Sequence, residues 1–340
     1  MEEGGNLMAE LFEIPDGTPL MGAVTFGLID RGTNVIQVRP STSCPLNCIF
    51  CSTDAGPYSQ RRRAEYVVRL DHMMEWFREL VKVKGSGVEA HIDTVGDPFT
   101  YPQLVELVQE IKKLEEVRIV SMQTHGHLMN ERILGELAEA GLSRINLSVD
   151  ALDPWLAKRL AGTEGYDVER VVANARYALE NTSVDVLLAP VWVHPLNDSE
   201  LEGLIALAKD MDAGRRSPPL GIQKCEYHRF GRRTKEMRHV SWYTFYGKMR
   251  ELEKKTGMKL VIRASDFGIR PARTVEAPFR VGERLMVRIV GPGWLNGESL
   301  ATTRDLRWAV TVVGEELPAG EEVRVRLLRT KDSILVGRPS

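Results

Sequence analysis

Three of the four cysteines, Cys44, Cys48 and Cys51, fall within eight residues of the stretch RPSTSCPLNCIFCSTD. Thiolates ligate zinc or iron–sulfur clusters. Structural zinc takes four ligands, often from two C-x-x-C pairs set well apart. Here the spacing is C-x-x-x-C-x-x-C, and the one remaining thiol, Cys225, lies far along the chain. One short loop with three thiolates can wrap three corners of a [4Fe–4S] cube. The fourth iron is then free to bind a small molecule. Phe50, directly before the last cysteine, is placed to shield such a cube from solvent. Structural zinc and buried, unliganded thiols stand as alternatives.

A loop of this kind needs a scaffold to hold it. Apolar runs that read as strands, TFGLID and NVIQVRP, precede the cysteines. Downstream, strand-like and helix-like segments alternate. EYVVRLDHMMEWFRELVKVKG is expected to be a helix ending at Gly85. It is followed by VEAHIDTVGDP (strand), YPQLVELVQEIKKLEE (helix), VRIVSMQTHG (strand), NERILGELAEAG (helix), RINLSVDALD (strand), DVERVVANARYALEN (helix), VDVLLAPVWVHP (strand) and DSELEGLIALAKDM (helix). The pattern predicts parallel strands with crossover helices, five or six units forming an open (β/α) barrel before residue 230. After Pro278 the helical period disappears. ERLMVRIVG, SLATTR, LRWAVTVVG and EEVRVRLLRTKDSILVGR read as short strands of a five-stranded barrel of oligonucleotide-binding type.

With 340 residues, 43% apolar and 27% charged, the chain has the composition of a globular protein of two or three domains. A net charge of −2 advertises no global affinity for nucleic acid. No apolar run is long enough to span a bilayer, and MEEGGNLMAELFEIPDG is acidic and unlike a signal peptide. A cytoplasmic location is expected, where disulfides are rare and clustered thiols read as metal-binding or catalytic.

The cysteine motif, with an aromatic before its last member, resembles the signature of the radical S-adenosylmethionine (SAM) superfamily, and the likeness extends over residues 34–230. It implies a cluster on Cys44, Cys48 and Cys51 whose open iron binds SAM. One electron then splits the S–C5′ bond to give a 5′-deoxyadenosyl radical, the cofactors carrying the hard chemistry. The electron would come from a donor such as ferredoxin or flavodoxin. DTVGDP stands where the family has a Gly-Gly-Glu-Pro-like turn for the SAM amino group, with Val95 and Asp97 replacing Gly and Glu. Thr94, Gly96 and Asp97 are therefore implied SAM residues, with the carbonyls of Thr94 and Val95 as further acceptors. Asp97 also reads as a turn residue before Pro98. By the same likeness, Gln123, Thr124 and His125 stand near the SAM carboxylate. Asn146, Ser148 and Asp150 stand near ribose or methionine, and Val191 and Val193 pack on adenine. Positions 146, 148 and 150 share one face of an extended strand. Ordinary backbone satisfaction and strand burial are the plainer readings of these residues.

Residues 215–275 hold 16 Lys/Arg against 5 Asp/Glu, an asymmetry that suggests a polyanion site. Lys224, Arg229, Arg232 and Arg233 interleave with Tyr227, His228 and Phe230, which suits phosphate contact beside base stacking. The C-terminal barrel resembles a TRAM domain, an RNA-binding module. Arg324 and Arg326, alternating with Val323 and Val325, would share its outer face, with Arg304, Arg307, Trp294 and Trp308 as further contacts. A lid or dimer surface is the alternative. Methylthiotransferases of the superfamily also end in TRAM, but they carry three more cysteines in an N-terminal domain, and only one spare cysteine exists here. RNA carbon methylases use an added cysteine as methyl carrier, which makes Cys225 the candidate, alongside its reading as a small core hydrophobe.

The expectation is thus an α/β protein, a partial (β/α)6-type radical SAM barrel followed by a small all-β OB-like/TRAM barrel. Its parts would be an N-terminal extension (1–33), a radical SAM core (34–230), a basic helical connector (231–277) and the β-barrel (278–340). The expected activity is SAM-dependent modification of tRNA or rRNA, with methylation at carbon as the leading reading. Modification of a protein or peptide, and a non-catalytic zinc-containing RNA-binding protein, are the alternatives.

Overall fold

The computed structural model describes residues 9–340, so residues 1–8 of the expected N-terminal extension lie outside the described residues. The strands and helices run β1 (Glu10–Glu13), β2 (Gly27–Asp30), β3 (Val35–Arg39), β4 (Ala64–Val67), α1 (Leu70–Lys84), β5 (Val88–Ile92), α2 (Leu104–Lys112), β6 (Val117–Thr124), α3 (Glu131–Ala140), β7 (Arg144–Leu147), α4 (Pro154–Ala161), α5 (Val168–Asn181), β8 (Asp185–Leu188), β9 (Val191–Trp192), α6 (Glu200–Asp210), β10 (Gln223–Lys224) and α7 (Trp242–Thr256). Five further strands follow, β11 (Arg284–Pro292), β12 (Glu298–Thr303), β13 (Ala309–Val313), β14 (Glu322–Arg329) and β15 (Val336–Pro339).

The main sheet has the order β2-β3-β5-β6-β7-β8. All its pairings are parallel except β2 with β3. Its strands are largely buried, as crossover helices on a parallel sheet require, with apolar residues interrupted by buried polar ones such as Glu89 and Arg144 that pair with each other. The helices present one apolar stripe each. In α1 it is Met73, Met74, Phe77, Leu80 and Val81, at helical spacing. Local chemistry sets the helix ends: Asn130, Asp153 and Asp167 cap α3, α4 and α5 through side-chain oxygens. No helix among the described residues is long and apolar enough to cross a membrane.

Several expectations are corrected. The helix expected from Glu65 begins only at Leu70, because Ala64–Val67 alternates buried and half-buried and pairs in parallel with β1. The segment 1–33 is not a mere extension, since β2 forms the edge of the main sheet. Helix α4, in DPWLAKRLAG, was not anticipated. The last strand, VDVLLAPVWVHP, breaks into β8 and a short β9 that pairs with β10. The connector 231–277 holds one α-helix of 15 residues, α7, and a single 3-10 turn at Ala264–Phe267 within otherwise irregular chain.

The five C-terminal strands close into a barrel of order β11-β12-β13-β15-β14. It is fixed to the core by backbone hydrogen bonds. Arg63 N donates to the Trp294 carbonyl at 2.8 Å, Ala309 N to Met21 at 2.7 Å and Leu335 N to Gly22 at 2.8 Å.

Candidate active site

The cysteine loop leaves the C-terminal end of β3, where α/β folds place their ligands. Cys44, Cys48 and Cys51 line one cavity of about 740 Å³. The same cavity is lined by Phe50, Thr94, Val95, Gly96, Gln123, His125, Ser148 and Val191. These come from the cysteine loop, the β5 turn and the ends of β6, β7 and β9, brought together from across the sheet.

The β5 turn packs directly on the cysteine loop. A Cβ at Gly96 would collide with the carbonyl oxygens of Thr42 and Ser43, so only glycine permits this approach. Asp97 N donates to Ser43 O at 2.9 Å. The Asp97 carboxylate is buried and spent locally. It accepts from Phe99 N, from Thr124 Oγ1 at 2.8 Å and from His125 N at 3.2 Å. Asp97 and Thr124 thus position the turn and do not line the cavity, and the carboxylate–ammonium contact implied for Asp97 is not formed from this arrangement. Both lone pairs of the Val95 carbonyl are also used, by Thr53 Oγ1 and Arg62 Nη2, each at 2.8 Å. The Thr94 carbonyl is the acceptor left without a partner among the described residues.

Of the other implied SAM residues, Gln123 donates to Ser148 Oγ at 2.7 Å, a pair facing the cavity. Asn146 is turned to Arg144, whose Nε donates to it at 2.8 Å. Asp150 supports the wall by accepting from Val191 N at 2.8 Å, and burial raises its pKa above the usual carboxylate range. Val193 is fully buried behind the wall. His125 Nδ1 donates to Ser148 O at 3.1 Å, which leaves Nε2 to accept from the Cys48 thiol at 3.6 Å.

The donor set fits a cluster better than a single ion. Among the described residues no three His, Cys, Asp or Glu side chains converge on one metal position, whereas three thiols face one roomy cavity. Burial pushes the Cys44 and Cys48 thiols well up, and Asp97 adds to this at Cys44. Burial acts in the same direction on Cys51. Hydrogen bonds from Thr53 and Ala55, with the Arg232 charge nearby, outweigh it and bring that thiol down.

Two arginines that the sequence did not single out for this purpose hold the loop. Arg62, with a side chain 0% exposed, pairs with Glu65 at 2.8 Å and donates to Thr42 O at 2.7 Å. Its guanidinium lies 4.6 Å from the ring centre of Trp294. Arg232 donates through its backbone to Cys51 O at 2.8 Å, and its side chain reaches Ala55 O and Asp54. Arg232 is therefore a support of the cysteine loop, not a free contact for RNA. Lys224 is also corrected: it is buried, pairs with Glu226 at 2.9 Å and sits under Trp242. Trp308 is buried in the barrel and Trp294 lines the cavity, so neither lies on an outer nucleic-acid face.

Residues 38–208 match the radical SAM superfamily. The chain belongs to that superfamily. It is a radical SAM enzyme, and its cofactors are a [4Fe–4S] cluster and S-adenosylmethionine. Bound together, these supply a carbon-centred radical for hydrogen abstraction. The cysteine loop would hold the cluster, and the Thr94 carbonyl with Gln123 and Ser148 would face SAM. An uncharacterized protein of Methanocaldococcus jannaschii is 38% identical over 343 residues, covering 95% of this chain and 79% of that one. The GTP 3',8-cyclase of Peptoclostridium acidaminophilum is 28% identical over 180 residues, covering 53% of each. The chain thus spans about half the length of that cyclase. In fold it is similar to Streptococcus suis SuiB bound to its precursor peptide SuiA, with a TM-score of 0.51 and 16% identity. That likeness covers 67% of this chain and 46% of SuiB.

Proposed function

We propose that this radical SAM enzyme modifies a nucleotide of tRNA or rRNA, placing a methyl group on carbon. The observation that carries the RNA reading is a row of arginines on the small barrel. Arg284 on β11, Arg326 on β14 and Arg338 on β15 are in register with one another, and all are exposed. Arg324 lies beside them on the same outer face. None of the four has a carboxylate partner among the described residues. Like charges directly opposite on neighbouring strands are destabilising, and a polyanion would offset that repulsion. A second basic and aromatic group supports the reading: exposed Phe230 sits between Arg229, 5.0 Å away, and Arg61, 5.7 Å away. Arg233 lies over Tyr227. The similarity to a cyclase that acts on GTP favours a nucleotide substrate and also supports a second reading, a free nucleotide.

Methylation rests on Cys225, which follows β10 and lines the cavity that holds the three cluster cysteines. It is the candidate methyl carrier.

Nucleoside mass spectrometry of RNA from cells with and without the gene tests the proposal. The expected result is one methylated nucleoside that disappears with the gene. An unchanged nucleoside profile would overturn it and leave the free-nucleotide reading.

A further inference from the structure

Four Lys/Arg side chains line the cavity: Arg39, Lys224, Arg232 and Arg329. Three are already engaged. Arg39 pairs with Asp93 at 3.0 Å, Lys224 with Glu226 at 2.9 Å and Arg232 with Asp54 at 3.5 Å. Arg329 comes from the small barrel and has no carboxylate or hydrogen-bond partner for its side chain among the described residues. Its direction is set by an irregularity in β14. Val325 and Leu327 point into the barrel, and simple alternation would send residue 329 inward too. The pairing of β14 with β15 shifts between Leu327 and Arg329, which inserts one residue and turns Arg329 outward, toward the cavity. Such bulges re-aim side chains beside active sites.

Trp294 lies in the loop between β11 and β12 and lines the same cavity. Its position is over-determined. The Trp294 carbonyl accepts from Arg63 N, Asn296 N donates to Arg61 O at 2.9 Å, and Arg62 covers one face of the indole. The small barrel therefore supplies a fixed aromatic surface and one unpaired guanidinium to the cavity that holds the cluster cysteines.

We propose that Trp294 and Arg329 form a recognition wall for one nucleotide of the substrate, the indole against its base and the guanidinium on its phosphate. This rests on the reading of the substrate as a nucleotide within RNA. Aromatic rings accept any base face, and arginine matches phosphate geometry with two parallel donors. In this view the barrel's outer arginine row holds the RNA strand, while its inner wall reads the nucleotide to be modified.

The test uses the full cluster-loaded chain with SAM. Binding of the four ribonucleoside 5′-monophosphates, of the four nucleosides and of total tRNA is measured by calorimetry. At least one monophosphate is expected to bind, and its nucleoside about tenfold more weakly, the equivalent of one charge-assisted contact. Arg329→Gln should bring the monophosphate down to the nucleoside's affinity, and Arg329→Lys should recover part of the loss. Trp294→Leu should weaken nucleoside and monophosphate alike, and Trp294→Phe should restore both. Iron content and melting temperature of each variant confirm folding. Equal monophosphate binding by Arg329→Gln overturns the wall, as does the absence of binding by all four monophosphates at about 10 mM, well above the usual range of substrate affinities. If tRNA fails to bind while a monophosphate binds and is lost in Arg329→Gln, the RNA reading falls and the wall stands. If tRNA binds and Arg329→Gln leaves monophosphate binding unchanged, the reverse holds.

Discussion

Cys225 shows how one side chain's surroundings constrain its chemistry. Burial pushes its thiol up to about 11, despite the neighbouring Lys224 ammonium. A thiol of this kind is protonated at neutral pH, so the methyl-carrier role requires that its proton be removed once the substrates are bound. With the other cysteines as the proposed cluster ligands, alkylation of the cluster-loaded protein reports on Cys225 alone. Iodoacetamide labelling is expected to stay slow at pH 8 and to rise steeply toward pH 11. Rapid labelling near neutrality would contradict the burial. Linkage gives the sign of the stability effect: the contribution is fully present below the ordinary value of 9.0 and is lost as pH rises from there toward 11. Among single residues, the three cysteines that line one cavity were legible in the sequence because their close spacing alone singles them out. Arg62 was not. It is one of three consecutive arginines, and nothing local distinguishes the one that is buried between the cysteine loop, the β5 turn and Trp294. Asp97 was placed correctly in the turn. Its side chain faces β6 because Thr124 and the His125 amide wait there, partners that lie 27 and 28 residues away.

At the level of elements, two glycines make opposite demands. Gly96 sits where the β5 turn touches the cysteine loop, and a methyl group would strike two backbone carbonyls that cannot move without the loop. Gly135 lies inside α3, with nothing within 4 Å of where a Cβ would stand. Gly135→Ala is expected to stabilise the protein by about 0.5–1 kcal/mol, the usual gain for alanine over glycine in a helix. Gly96→Ala is expected to lower iron loading and SAM affinity together. Denaturant titration measures the first, and iron assay with calorimetry the second. Normal iron loading by Gly96→Ala would show that the turn and loop are not locked. The alternation of strands and helices was readable because each helix buries one stripe and each parallel strand is a short, largely buried run between helices. The stretch from Glu65 misled because EYVVRL joins a helix with no break that sequence could show. Its β-strand exists only because β1, some 50 residues earlier, pairs beside it.

For the whole molecule, the barrel's attachment decides what can be removed. The sequence alone suggests a detachable module, whose loss would weaken RNA binding and spare uncoupled SAM cleavage. The structure changes that expectation. Tyr66 donates to Pro292 O at 2.9 Å, and the ring of Phe12 fills the space over Gly291. Arg62, which holds the cysteine loop, stacks on Trp294 of the barrel. Deleting residues 278–340 would leave Arg62 with one side uncovered and would strip the Arg63 backbone donor and the Met21 and Gly22 carbonyl acceptors of their partners. Unpaired groups at such a seam each cost about 1–3 kcal/mol when buried, a large share of the stability of an ordinary domain. The chain truncated after residue 277 is therefore expected to lose iron loading as well as RNA binding, and the intact chain to unfold in a single transition seen alike by far-UV and near-UV circular dichroism. Two separated transitions, or a truncated chain that loads iron and cleaves SAM at the full rate, would show that the barrel is an independent unit. Such attachment is invisible in sequence because it is made by main-chain groups of residues 21, 22, 63 and 294, whose side-chain types carry no trace of it.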